Sequence, residues 1–284
     1  MKNYKTAGAF RHALEDRLNN LSQEETIPLN RLRKQVAFDR LLARLFNSKN
    51  PKWLLKGGYA IEFRIHNIAR ATKDMDFTIP NMDNPTENKI LEIFQDEVKK
   101  NIDDFFTFLI GTSISTVDQA VYGGWRFPVD ARLANRTFTK FHIDVCVGDA
   151  VVSAPEWQRG LEILNFADIP PANAAMLPRD QQFAEKVHAY TLPRAKQLNS
   201  RTRDLVDLVL LIEHDLPEKK IVKKAIEATF KKRKTHNLPE KLKLPPESWE
   251  EPYKALAEDC GVSKKTIKEA FIFLEQYWNK LMKD

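Results

Sequence analysis

"WLLKGGYAIEFRIHNIARATKDMDFTIP" spans Trp53 to Pro80. An apolar run, Trp53-Leu54-Leu55, enters a glycine pair, Gly57-Gly58, and a helix-compatible segment follows. Asp74 and Asp76 then flank Met75. The order reads strand, turn, helix, strand. Glycine lets backbone approach a ligand with no Cβ in the way, and a helix N-terminus favours a phosphate. Residues two apart on a strand point to one face, so Asp74 and Asp76 share a pocket while Met75 and Phe77 turn to a core. Mg²⁺ takes hard oxygens, often one or two carboxylates plus substrate phosphates. The stretch points to metal-assisted chemistry on a nucleoside triphosphate. Lys56, beside the turn, reads as a solvated lysine.

Such chemistry often uses a third carboxylate that orients or deprotonates the attacking group. Asp144 is the stronger candidate. It lies in "FHIDVCV", opposite an apolar stripe of Phe141, Ile143, Val145 and Val147, where an unpaired buried charge is costly. Asp130 in "FPVDAR" is the rival, with Arg132 as an ordinary ion-pair partner.

Periodicity extends the reading in both directions. Residues 7 to 48 form two helices, and Asn50-Pro51 ends the second, since proline disfavours helix before it. A helix over 86 to 101 and three strands follow, at Phe105 to Ile110, Val121 to Val129 and Phe138 to Val147. Beyond the Pro-rich "FADIPPANAAMLPRD" the chain reads as helical, over Gln181 to Leu192, Thr202 to His214, Lys219 to Lys232, Trp249 to Cys260 and Ser263 to Lys283. Ser263 is the expected cap of the last helix. The expected boundary lies between 168 and 180, giving an α/β part over 1–170 and a helical part over 171–284.

Composition sets the broad class. Across 284 residues, 43% are hydrophobic and 30% charged, values of a globular chain that exclude a disordered one. No apolar run nears the roughly 20 residues of a membrane span, and the amino terminus lacks signal-peptide features. Cys146 and Cys260 show no metal-type spacing. A reducing cytoplasmic location is the default expectation. Net charge is +6, and Lys219 to Lys243 holds ten Lys/Arg against Glu227 and Glu240. That block is either a solvated surface or a footprint for a polyanion. His66, His188 and His214 lack ligand spacing and are assigned to structure or surface. In "SRTRDLVDLVLLIE", Arg203 and Asp207 are four apart and suited to a helix pair.

Five motifs in order resemble one family: "LLKGGYAIEFR", "RATKDMDF", "FHIDV", "EKVHAY" and "RDLVDL". Together they are similar to the nucleotidyltransferase toxins of the AbiEii/AbiGii family, which belong to type IV toxin–antitoxin systems. The resemblance implies an α+β fold: a polymerase-β-type nucleotidyltransferase core with a mixed sheet and flanking helices, followed by an all-helical C-terminal domain. It implies that Gly57 and Gly58 hold the triphosphate, that Asp74 and Asp76 bind Mg²⁺ (Mn²⁺ as a substitute), and that Lys186 contacts the nucleotide. Asp204 and Asp207 would support activity, and Arg203 stands where the family commonly has lysine, as a nucleotide contact. Gly58 replaces a common serine, which removes one phosphate donor. Further implied are an NTP substrate, an acceptor at the 3′ end of tRNA with consequent arrest of translation, a role in phage defence, and a cognate antitoxin from a neighbouring gene. Two other classes share parts of this pattern. One is a small-molecule nucleotidyltransferase, which needs no basic face. The other is a non-catalytic binding protein with salt-bridged carboxylates.

Overall fold

The computed structural model describes residues 4–48, 50–65, 72–80, 82, 85–117, 123–193, 201–214 and 216–283. The two expected N-terminal helices are α1 (Ala7–Glu24) and α2 (Leu29–Leu45). The Thr6 hydroxyl accepts from the Ala9 N–H at 3.2 Å and so starts α1. The glycine stretch then forms β1 (Leu54–Lys56), α3 (Gly57–Ile65) and β2 (Met75–Ile79). His66 and the first two residues of the strand expected from Val121 lie outside the described residues.

After α4 (Glu87–Val98) come β3 (Phe106–Ile110), the short β4 (Ser115–Thr116), β5 (Gly124–Leu133) and β6 (Arg136–Val147). The last two form one long hairpin, where two shorter, separate strands were expected. Ala134 and Asn135 both take positive φ, 53° and 58°, the mirror-image turn whose twist suits a two-residue hairpin.

Sequence periodicity missed two strands, β7 (Glu156–Arg159) ahead of the Pro-rich passage and β8 (Asn173–Met176) within it. Four-residue segments such as "NAAM" carry little period-2 signal, and it is pairing with β1 and β7 that makes β8 a strand. The mixed sheet runs β3-β5-β6-β2-β1-β8-β7, with β4 paired to β5. β2 is parallel to β6 and antiparallel to β1.

One sheet face, with Met75, Phe77, Phe141, Ile143 and Val145, joins α1, α2 and α4 in an apolar core. The other face carries Asp76, Thr78, Asp144 and Cys146. The C-terminal helices α5 (Arg179–Thr191), α6 (Thr202–Glu213), α7 (Lys219–Arg233), α8 (Glu250–Asp259) and α9 (Ile267–Lys283) build a second core around Phe183, Leu208, Tyr253 and Trp278. α9 begins later than expected and Ser263 does not cap it. The Thr266 hydroxyl accepts from the Glu269 N–H, and Glu269 accepts from the N–H groups of Lys265 and Thr266, a capping box. Ser263 donates instead to Glu213.

Candidate active site

β1 ends at Lys56, and the chain turns at once into α3. Gly57 makes that turn with φ of +68°, and a Cβ placed there would lie 2.0 Å from Asp76 Oδ2. Any side chain would displace the carboxylate. The Gly57 carbonyl accepts from Gln182 Nε2 on α5 at 2.7 Å. Gly58 is buried in the first turn of α3, where helical geometry leaves N–H groups without intrahelical acceptors.

Sheet register places the carboxylates. Asp76 is paired with Lys56 on β1 and with Asp144 on β6. Asp74 precedes β2, and its Oδ1 lies 3.3 Å from the His142 N–H and 3.2 Å from His142 Nδ1. Asp130 pairs with Lys140, four residues along β5 from the level of Asp144, and accepts from Arg132 at 2.8 Å. Of the two rivals, Asp144 is the one beside Asp76.

A residue that sequence reading passed over lies among these acids. Arg126 on β5 is the cross-strand partner of Asp144 and donates to it through both edges of its fork, Nε to Oδ1 at 2.8 Å and Nη2 to Oδ2 at 2.6 Å. The same Nη2 is 3.9 Å from Asp74 Oδ2. The Asp144 hydrogen bonds first, then the charges of Asp144, Asp74 and Asp76, hold its guanidinium firmly protonated. "GGWRFPVD" carries no mark of this role, because only the hairpin register brings Arg126 to Asp144.

The set suits a hard divalent ion in part. Three carboxylates project from one face of neighbouring segments, and Mg²⁺ binds through one or two such groups plus substrate phosphates. A ready-made cage is not formed. Among the described residues no three His, Cys, Asp or Glu side chains gather closely enough to hold a metal ion. Among the described residues, Arg126 is a cation set between these acids.

Lys56 departs from expectation. It is 6% exposed and makes ion pairs with Asp149 and, at 3.2 Å, with Glu185 of α5. Arg233 of α7 reaches the same two acids, at 2.9 and 3.3 Å. Burial alone would favour neutral Lys56, but Asp149, Cys146 and Glu185 outweigh it and raise its pKa. Burial likewise opposes the Asp149 carboxylate, yet Lys56 and Arg233 hold it well below the usual range. This buried network fastens the sheet to the helical part. Its members are 93 and 129 residues from Lys56, so no local spacing announces them.

On α5, Lys186 follows Glu185 and reaches Asp204 at 2.9 Å and Asp207 at 2.7 Å on α6. Lys186, Asp204 and Asp207, from the fourth and fifth motifs, thus form one largely buried cluster. Asp207 meets Lys186, and Arg203, its expected helix partner, is exposed. Lys52, Lys231, Lys232 and Lys234 line a cleft of about 1040 Å³ that reaches Asp149, so part of the basic block adjoins the network. A second cleft, of about 580 Å³, opens on Asp74, Arg126 and His142 and is flanked by Lys34, Lys73 and Lys140. No helix among the described residues is long and apolar enough to cross a membrane.

Comparisons with known proteins bear on the fold and the family. The structure is similar to that of MenT4, a nucleotidyltransferase toxin from Mycobacterium tuberculosis H37Rv, with TM-score 0.58 and 17% identity over 89% of this chain and 88% of that one. A suspected nucleotidyltransferase from H. pylori gives TM-score 0.45 and 14% identity over 90% and 96% of the two chains. No curated protein matches the sequence significantly. The fold is thus α+β with a nucleotidyltransferase-type mixed sheet. The profile of the nucleotidyl transferase AbiEii toxin of type IV toxin–antitoxin systems matches residues 40–278, which takes in the glycine turn, every candidate carboxylate and the helical half, and the chain belongs to that family of transferases.

Proposed function

We propose that this protein transfers a nucleotide from an NTP to the 3′ end of a tRNA in a Mg²⁺-dependent reaction, releasing pyrophosphate and stopping translation. One observation carries the reading most directly. The glycine turn and the Asp76 carboxylate are in atomic contact, and Asp76 is in register with Asp144. A triphosphate cradled at Gly57-Gly58 would present its α-phosphorus to these acids.

The chain's own residues then divide the work. The first-turn N–H groups of α3, with Lys186 and Arg203, orient the phosphates, while Asp204 and Asp207 hold Lys186. Asp74, Asp76 and Asp144 would hold Mg²⁺ together with the substrate's phosphates, and the ion would neutralise the triphosphate and the charge developing on it. Asp144 takes the proton from the acceptor hydroxyl. That oxygen bonds to the α-phosphorus, the α–β bridging P–O bond breaks, and its electrons leave with pyrophosphate. Lys52 and the basic block supply phosphate-backbone contacts for an RNA acceptor.

The family also supports an antitoxin encoded next door, a phage-defence role and action in the cytoplasm. Two parts are proposed, with the catalytic part running on through β8 to about residue 177, because β8 belongs to the sheet and to the first apolar core.

The test incubates purified protein with Mg²⁺, total RNA and each labelled NTP, beside Asp76→Ala. Label on a tRNA-sized band with one NTP, absent in the variant, is expected. Label on no RNA while NTP still binds with Mg²⁺ would move the acceptor to a small molecule or protein. No binding of any NTP would end the transferase mechanism drawn here.

A further inference from the structure

Some ion-paired cations of this molecule are shut away from solvent. Arg40, Arg44, Lys56 and Arg233 are nearly sealed from solvent, with side chains 2 to 9% exposed, and brace the fold. Arg126 differs. Its side chain is 37% exposed, it stands at the mouth of the 580 Å³ cleft, and its partners are the acids assigned above to the metal. A guanidinium this open can pivot away by side-chain rotation alone.

We propose that Arg126 is an exchangeable counterion and nucleotide-binding residue: it clamps Asp144 and Asp74 in the free protein, and on substrate binding gives up these carboxylates and takes the nucleotide's phosphates instead. The inference rests on the reading of Asp74, Asp76 and Asp144 as metal ligands. A planar fork that fits a carboxylate bidentately fits a phosphate equally well. Charge explains why exchange needs both ligands. A divalent cation arriving alone must displace Arg126 into a space with no new anion. A triphosphate arriving alone meets acids whose nearest cation is already engaged. Together, the cation satisfies the carboxylates and the triphosphate satisfies Arg126. Cation and nucleotide therefore bind synergistically, and Arg126 is the residue through which they are coupled.

Mn²⁺ binding, followed by electron paramagnetic resonance, tests this without catalysis. The full chain is titrated with and without a non-hydrolysable NTP analogue, correcting for the Mn²⁺–analogue complex in solution. For the wild type, the analogue should strengthen Mn²⁺ binding by about 5- to 150-fold, the usual range of coupling between two sites. Arg126→Gln should bind Mn²⁺ alone more tightly than the wild type and lose most of the coupling. General damage to the structure would weaken binding, so a gain is diagnostic. Arg126→Lys, which keeps the charge without the fork, should show a smaller gain, and it decides the matter if the glutamine variant does not fold.

Folded variants that bind Mn²⁺ no more tightly than the wild type would overturn the proposal. Asp76→Asn separates the two ideas. Wild-type Mn²⁺ binding that is lost in Asp76→Asn but unmoved in both Arg126 variants sinks the exchange alone. Absence of Mn²⁺ binding in the wild type, with or without analogue, sinks the metal site and the exchange together.

Discussion

Gly57 shows what one atom decides. Its φ of +68° and the 2.0 Å separation from Asp76 Oδ2 that a Cβ would have leave room for hydrogen alone. The left-handed backbone by itself costs an L-residue about 1–2 kcal/mol, and the displaced carboxylate adds a functional loss. Gly57→Ala should therefore lower the denaturation midpoint modestly and abolish label transfer, a disproportion that paired urea melts and transfer assays would expose. Retained activity would mean that Asp76 can move without consequence. The glycine pair was readable from sequence as a turn before a helix, but its contact with Asp76 was not, since Asp76 stands 19 positions further along the chain than Gly57.

Among the elements, the junction of β1, α5 and α7 gathers four buried or half-buried charges. Removing one partner from a buried ion pair strands the other, at a cost of about 3–5 kcal/mol. Lys56→Ala leaves Asp149 and Glu185 with Arg233 as their remaining cation, so a loss of that order is expected in urea unfolding. A loss under 1 kcal/mol would show that the network is not cooperative. The same junction is pH-sensitive through His188, a buried side chain between α5 and α7. Burial foremost, then the neighbouring charges of Arg233 and His236, push its pKa down from 6.5 to about 3. Below pH 6.5 the unfolded chain takes up a proton that the folded chain refuses. This contribution to stability is intact above pH 6.5 and declines as pH falls toward 3, by up to about 1.4 kcal/mol per pH unit. His188→Gln should flatten thermal stability measured across that window.

For the whole molecule, the feature of consequence is where the positive charge lies relative to the acids. Lys52 on the sheet side and Lys231, Lys232 and Lys234 at the end of α7 face one cleft, reaching the Lys56 network at Asp149. If RNA backbone follows it, the affinity should fall steeply with salt. Removing two phosphate contacts lowers the slope of log K against log salt by roughly 2. Lys231→Gln with Lys234→Gln should produce that change for tRNA in filter-binding titrations. An unchanged slope would place the acceptor elsewhere, with the 580 Å³ cleft at Asp74 and Arg126 as the next surface to test.

Local chemistry was enough to place strand, glycine turn, helix and Asp-x-Asp in order, and to set the motifs that match the family, because alternation on a strand and three- to four-residue spacing on a helix are written within a few residues. Register is not local. Leu133 pairs with Arg136 at the hairpin turn, but past the irregularity at Ala131/Arg132 the pairing shifts by one residue, and Arg126 meets Asp144. Without that shift Arg126 would oppose Ile143 and point to the apolar core, since a one-residue slip exchanges the faces of a strand. Nor could spacing reveal that Lys56 is buried, because its partners arrive from a loop and a helix far along the chain. The sequence by itself determined the order of strand, glycine turn, helix and acids, and the motifs that match the family. Only the tertiary structure decided which cation meets which acid, because pairings across long stretches of chain are set by strand register and helix packing.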